Sequence, residues 1–177
     1  MFLAVRVPLR LAALTTLLAA ASPAPFADAA NHPPSSAQIR SAVQRAERSG
    51  ALWATVNICN TRRYPDRIGI RGQMPSLGFA AALSMDIQVD YLPSGDERFT
   101  PVPGASRMIG LQSTSGLRQE GANWSFTSHT GTLSGTITFE WALDGKVLGQ
   151  VTRATTAGHP DAEFASPPHF SAAHCTI

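Results

Sequence analysis

From Phe79 to Tyr91 the side chains alternate. Phe79, Ala81, Leu83, Met85, Ile87, Val89 and Tyr91 share one parity; Ala80, Ala82, Ser84, Asp86, Gln88 and Asp90 share the other. A period of two predicts a long strand with one face in a core and one in water. Leu133 to Leu143 repeats the pattern. Ala51 to Cys59 and Arg67 to Met74 read as strands before the first of these, and Asn123 to Thr130 as one before the second. Ser171 to Ile177 reads as a short last strand. Phe99 to Gly121, broken by Pro101, Pro103, Gly104, Gly110, Gly116 and Gly121, reads as irregular chain with a short strand at Met108 to Leu111.

Asp144-Gly145 marks a hairpin. A two-residue loop would set Phe139 against Gln150 and Ile137 against Thr152. A three-residue loop with a bulge sets Trp141 against Val147 and Ile137 against Val151, and its apolar matches favour it. About seven to nine strands joined by turns, without strand–helix alternation, predict an all-β antiparallel β-sandwich. One helix precedes it. Ser35 and Gln38 form a capping box, Gly50 ends the helix, and Ile39, Ala42, Val43 and Ala46 make a thin apolar stripe. So thin a stripe predicts a helix loosely attached to the sheets.

The amino terminus reads as a targeting signal. Arg6 and Arg10 precede the apolar run Leu11 to Ala21, and Ala27-Asp28-Ala29 is a small-x-small cleavage pattern. Pro23 and Pro25 interrupt any helix that would extend the run across a bilayer. The predicted organisation is residues 1–29 signal peptide, 30–50 flexible lead and amphipathic helix, and 51–177 β-sandwich, with no membrane span after signal removal. The protein is then secreted. Its formal net charge of +2 loses one unit with Arg6, Arg10 and Asp28, which gives no reason to expect nucleic acid. Cys59 and Cys175 are the only cysteines. In an oxidising compartment they are expected to pair.

Candidate chemistry is sparse. His159, Asp161, Glu163, His169 and His174 are nitrogen and oxygen ligands gathered near the carboxyl terminus, but without a diagnostic metal spacing. The bland alternative is a polar surface loop, so no metal or cofactor is expected. Gly131-Thr-Leu-Ser-Gly135 has the wrong spacing for a nucleophile elbow, and His129 lies near Ser125 and Ser128 only in sequence. Asp86 and Asp90 lie roughly 13 Å apart along a strand, beyond the carboxylate pairs of glycoside hydrolases, and read as a solvated face. Trp124, beside Gly121 and Asn123, is the candidate platform for a sugar or a partner's side chain.

Gly135-Thr-Ile-Thr-Phe-Glu-Trp141, Thr155-Thr-Ala-Gly-His159 and Ser171-Ala-Ala-His-Cys-Thr-Ile177 resemble small exported proteins of actinobacteria. The resemblance implies an immunoglobulin-like sandwich and no activity. The cysteines are too far apart for an antibody-type domain, and no Trp follows the first at the usual interval. The expectation is a monomeric, non-enzymatic secreted module for an extracellular protein or glycan. A hydrolase or metal-dependent enzyme using residues 156–174 is the alternative, and a carbohydrate-binding module the second.

Overall fold

The alternation at the centre of the chain becomes the central hairpin of one of two packed sheets. The computed structural model describes residues 33–113 and 115–177; the proposed signal peptide lies outside them. Residues 34–177 form one compact unit. It comprises α1 (Ser36–Glu47), β1 (Trp53–Thr61), β2 (Tyr64–Pro75), β3 (Ala81–Leu92), β4 (Thr100–Ser113), β5 (Leu117–Ser125), β6 (Thr132–Leu143), β7 (Lys146–Ala154) and β8 (Cys175–Thr176).

Sheet A has the order β1-β2-β5; sheet B has the order β4-β3-β6-β7, with β8 also paired to β6. All strand pairings are antiparallel. An all-β sandwich is therefore the fold. Its core lies between the inward faces: Val56, Ile68, Ile70 and Met74 of sheet A meet Leu83, Met85, Ile87, Ile137, Phe139 and Trp141 of sheet B. The Trp141 indole donates from Nε1 to the Pro75 carbonyl at 2.8 Å, so its polar edge is satisfied in the apolar interior.

The stretch expected to be irregular, Phe99 to Gly121, instead supplies β4 and most of β5. Both are edge strands, where proline and glycine are tolerated because one side of the backbone carries no partner. The strand expected over Asn123 to Thr130 ends at Ser125, and the last one is only Cys175–Thr176.

The two-residue loop occurs between β6 and β7, but neither set of pairings expected beyond the turn does. Leu143 pairs with Lys146 across a two-residue turn, with Asp144 at φ 50° and Gly145 at φ 76°. A register shift then follows between Trp141 and Ala142, so Trp141 faces Gly149, Phe139 faces Val151 and Ile137 faces Arg153. The shift sets Gly149, not a valine, opposite Trp141, where Val43 of the helix takes the space a side chain would need.

The helix is also docked, not loose. Ala42, Val43 and Ala46 are buried and α1 lies on β7. A Cβ at Gly149 would collide with Val43, so the missing side chain is what admits the helix. Arg153 donates from Nη2 to the Glu47 carbonyl at 2.8 Å, occupying one of the acceptors left open at the helix end. The predicted capping box is present: Ser35 Oγ accepts from Gln38 N, and Gln38 Oε1 from Ser35 N.

Asp90 departs from the solvated face assigned to it. Asp86 is exposed, but Asp90 is only 7 % exposed, beside a register shift where β4 crosses β3. Burial raises its carboxyl pKa, opposed by a hydrogen bond with the Thr136 side chain. A raised folded-state pKa means that the charged form is penalised in the folded protein. That penalty is absent below the ordinary value of 3.8 and complete above the folded-state value. Asp90→Asn is therefore expected to raise the melting temperature at about pH 7 and to leave it unchanged at about pH 3.

Candidate functional site

Among the described residues, polar side chains are buried most densely outside the core, on the outer face of sheet A. Strand alternation places Trp53, Thr55 and Asn57 of β1 there, with Gly69, Arg71 and Gln73 of β2 and Gln119, Gly121 and Asn123 of β5. Such a face would ordinarily be wetted. Here Thr55, Asn57 and Arg71 are buried, because residues 156–174 return across the face as a strap.

The strap is attached at both ends. Thr156 N donates to the Ala54 carbonyl at 2.8 Å, and Val56 and Ala172 exchange backbone hydrogen bonds of 2.9 and 3.0 Å. Beyond it, Cys175 is joined to Cys59, with 5.3 Å between the Cα atoms. The expected disulfide thus links β1 to β8, and the strap covers an edge of β1 that would otherwise template aggregation.

Between those anchors the face holds the strap by its main chain. The Gln119 amide makes two bonds: Nε2 donates to the Asp161 carbonyl at 3.2 Å, and Oε1 accepts from Glu163 N at 2.9 Å. Asn57 Nδ2 donates to the Glu163 carbonyl at 2.9 Å, and Ser166 N donates to the Asn57 carbonyl at 2.9 Å. Gln119 is itself oriented by Gln73, whose Oε1 accepts from its Nε2 at 3.0 Å. Asn57 and Asn123 lean over Gly69, where a Cβ would lie 2.7 and 2.6 Å from their oxygens.

Arg71 is the least satisfied member. It is 9 % exposed, its Nη1 is 3.8 Å from Glu163 Oε2, and its Nε has no hydrogen-bond partner. Asn57 Oδ1 is likewise buried without one. Burial lowers the guanidinium pKa, against the opposing pull of Glu163 and Glu120. Above it lies Phe164, its ring centroid 4.9 Å from Arg71 Cζ. Phe164 is 75 % exposed and has φ 57°, an unfavourable backbone conformation for a bulky residue. Pro160, Asp161, Ala162, Ala165, Pro168 and His169 surround it in a shallow depression of about 350 Å³.

The five residues proposed as metal candidates all lie on the strap but do not converge. The His159 ring stacks on Trp53 at 4.5 Å and its Nε2 is 2.9 Å from Thr156 Oγ1. Burial lowers its pKa and favours the neutral ring. Glu163 is turned toward Arg71, His169 Nδ1 lies 3.1 Å from the Pro160 carbonyl, and His174 stacks on Phe99 at 5.2 Å. Asp161 takes part through its carbonyl. Among the described residues no three His, Cys, Asp or Glu are grouped to hold a metal ion.

Thr156 and His159 have the separation of a nucleophile and its base, yet the pair is explained without catalysis. The His159 ring can donate to Thr156 Oγ1, which in turn donates to the Ala54 carbonyl at 3.4 Å. Ser128 bonds to the Thr130 carbonyl and the Tyr91 hydroxyl, while His129 lies 3.7 Å from Asp66. Glu140 sits opposite Ser84, two pairs along from Asp86, on the outer face of sheet B.

Trp124 is half-buried and packs against the hydrophobic core, which leaves Phe164 as the more exposed aromatic. Sequence reasoning passed over Phe164, Arg71, Asn57 and Gln119. The sequence carried little signal for them: Ala54 to Ile58 alternates apolar and polar like a half-wetted strand, yet Trp53 to Ile58 is buried on both faces. The strap is the layer that covers the polar face of β1. Comparison of the sequence with models of protein families matches no family, and comparison with curated proteins matches none.

Proposed function

We propose that this protein is an exported, non-enzymatic immunoglobulin-like module that binds an extracellular protein through the strap-covered face of sheet A. Several observations support this reading. With β1 to β7 labelled A, B, C, C′, E, F and G, the sheets are A-B-E and C′-C-F-G, the neighbour relations of an immunoglobulin-like sandwich. A disulfide fits an oxidising compartment, as does the apolar run at the amino terminus. No helix of the described residues is long and apolar enough to cross a membrane.

The observation that carries the binding surface is Phe164. An aromatic ring held in water on a left-handed backbone costs the folded chain stability, and the guanidinium beneath it offsets only part of that. Interfaces are commonly anchored by such rings. The depression around it gives a partner's side chain somewhere to sit.

Phe164→Ala is expected to reduce partner capture from the native extracellular fraction by about ten-fold or more, the loss of an anchoring contact of roughly 1.4 kcal/mol or above. The melting temperature should stay within about 2 °C, since so exposed a ring contributes little to the core. Equal capture by the two proteins would remove the strap as the binding surface.

A further inference from the structure

We propose that residues 159–166 are a resident ligand, and that the face beneath them is a groove for an acidic peptide of the same turned shape supplied by a partner. The inference rests on the reading that this face is the binding surface, but not on Phe164 as its anchor. Three features of the contact lead to it.

The face recognises the strap as backbone. Gln119 takes one carbonyl and one amide two residues apart, and Asn57 takes the next carbonyl. These bonds go to main-chain groups of a segment that turns twice, at 160–161 and 163–164, with Ala162 N donating to the His159 carbonyl at 3.0 Å, and they are indifferent to most side chains. Side chains add to this: Trp53 stacks on His159, Thr61 Oγ1 lies 3.3 Å from Ser166 Oγ, and Arg71, beneath the Phe164 ring, is the charged element and is turned to the carboxylate of Glu163. A planar fork of donors selects a carboxylate when the geometry is close.

That geometry is not close. The 3.8 Å contact, the unpartnered Arg71 Nε and the unpartnered Asn57 Oδ1 leave a buried cation and a buried acceptor under-satisfied. Each such group disfavours the closed arrangement by roughly 1–3 kcal/mol. Phe164 and His169, both at positive φ, add to the disfavour. An acidic peptide free of the strap's two tethers can approach Arg71 without these backbone constraints.

The strap is also built to lift without unfolding the sandwich. Between residues 156 and 168 the one fully buried apolar side chain is Ala162. Gly158, at φ 96° with nothing near its Cβ position, can serve as a hinge next to the anchor at Thr156. Segments with few buried apolar contacts open at free energies well below that of global unfolding.

The test uses the full disulfide-bonded chain and a fluorescein-labelled peptide of residues 159–166, read by anisotropy. In the wild type the tethered strap competes at an effective concentration on the order of millimolar. Glu163→Pro removes the amide hydrogen that Gln119 accepts and the carboxylate beside Arg71, leaving the groove intact. This variant should bind the peptide at least about ten-fold more tightly than the wild type. Adding Arg71→Gln, or placing Gln at the peptide's Glu position, should each weaken binding about ten-fold. Equal affinity of variant and wild type, no saturable binding, or indifference to Arg71→Gln would overturn the proposal. Hydrogen exchange on the wild type gives a check that needs no variant. The amides of Glu163 and Ser166 should exchange about a hundred-fold faster than those of Met85 and Ile87; equal protection would mean that the strap opens only with the whole fold. Phe164-dependent capture without peptide binding would sink the groove and leave the binding surface standing.

Discussion

Replacing Ile87 with Asp is expected to abolish folding. Ile87 is fully buried in β3, paired with Ile137 on one side and with Arg107 on the other, and it points into the seam between the sheets. A carboxylate there has no partner and no water, and its burial would cost more than about 5 kcal/mol, comparable with the entire stability of a domain this size. Asp86→Asn is the control. Asp86 is the adjacent residue but exposed, so the change should shift stability by less than about 0.5 kcal/mol. Circular dichroism and a melting curve of both proteins decide it, since equal behaviour would contradict the assigned faces. Gln88 makes a poorer control than strand parity suggests. Its Nε2 donates to the Val89 and Val102 carbonyls at 2.6 and 3.1 Å, fastening β4 to β3 at the register shift.

Removing the disulfide should be the next most damaging change. Cys59 and Cys175 are 116 residues apart, and closing so long a loop restricts the unfolded chain by about 4–5 kcal/mol in the chain-entropy account. The double substitution Cys59→Ala/Cys175→Ala is expected to lower the melting temperature by about 10 °C or more. Fraying should begin at the strap, because β8 is a two-residue strand whose attachment depends on the bridge. An unchanged melting temperature would mean that the bridge does not form in solution. Reductant added to the wild type should reproduce the variant.

The elements legible in the sequence were those whose pattern answers to one physical demand. β3 and β6 bury one face each, so a period of two was visible and the sandwich followed. The capping box was visible because it is local. The turn at Asp144-Gly145 was visible too, but the register beyond it was not. Val147 and Val151 invited matching with Trp141 and Ile137, whereas the space opposite Trp141 is filled by Gly149 and a helix more than a hundred residues earlier in the chain. β4 and β5 were hidden because Pro101, Pro103 and Gly110 read as interruptions, although an edge strand leaves half its backbone groups unpaired anyway. Asp90 was assigned to water by parity and is covered by a neighbour that parity cannot foresee.

The candidate site was less legible for a related reason. Its residues come from three strands and a returning tail, and neither Arg71 nor Gln119 carries a local signature. The metal candidates lie on the same segment as the candidate site, although they do not converge there. What they shared was the strap itself: Asp161, Glu163, His169 and His174 are exposed on a surface segment, and exposure favours polar side chains without selecting for convergence.

The link between β1 and β8 also fixes how the protein responds to tension. Pulled apart from Pro34 and Ile177, the chain can pay out only the segment before Cys59 and the last residues after Cys175, about 27 residues or some 90 Å of contour. Everything enclosed by the sulfur–sulfur bond is shielded from the load, and the force passes straight across the bond. Without that bond the same pull could draw out on the order of 500 Å. In a single-molecule stretching trace the oxidised protein would therefore behave as a short, stiff connector, and the reduced one as a long extensible spring.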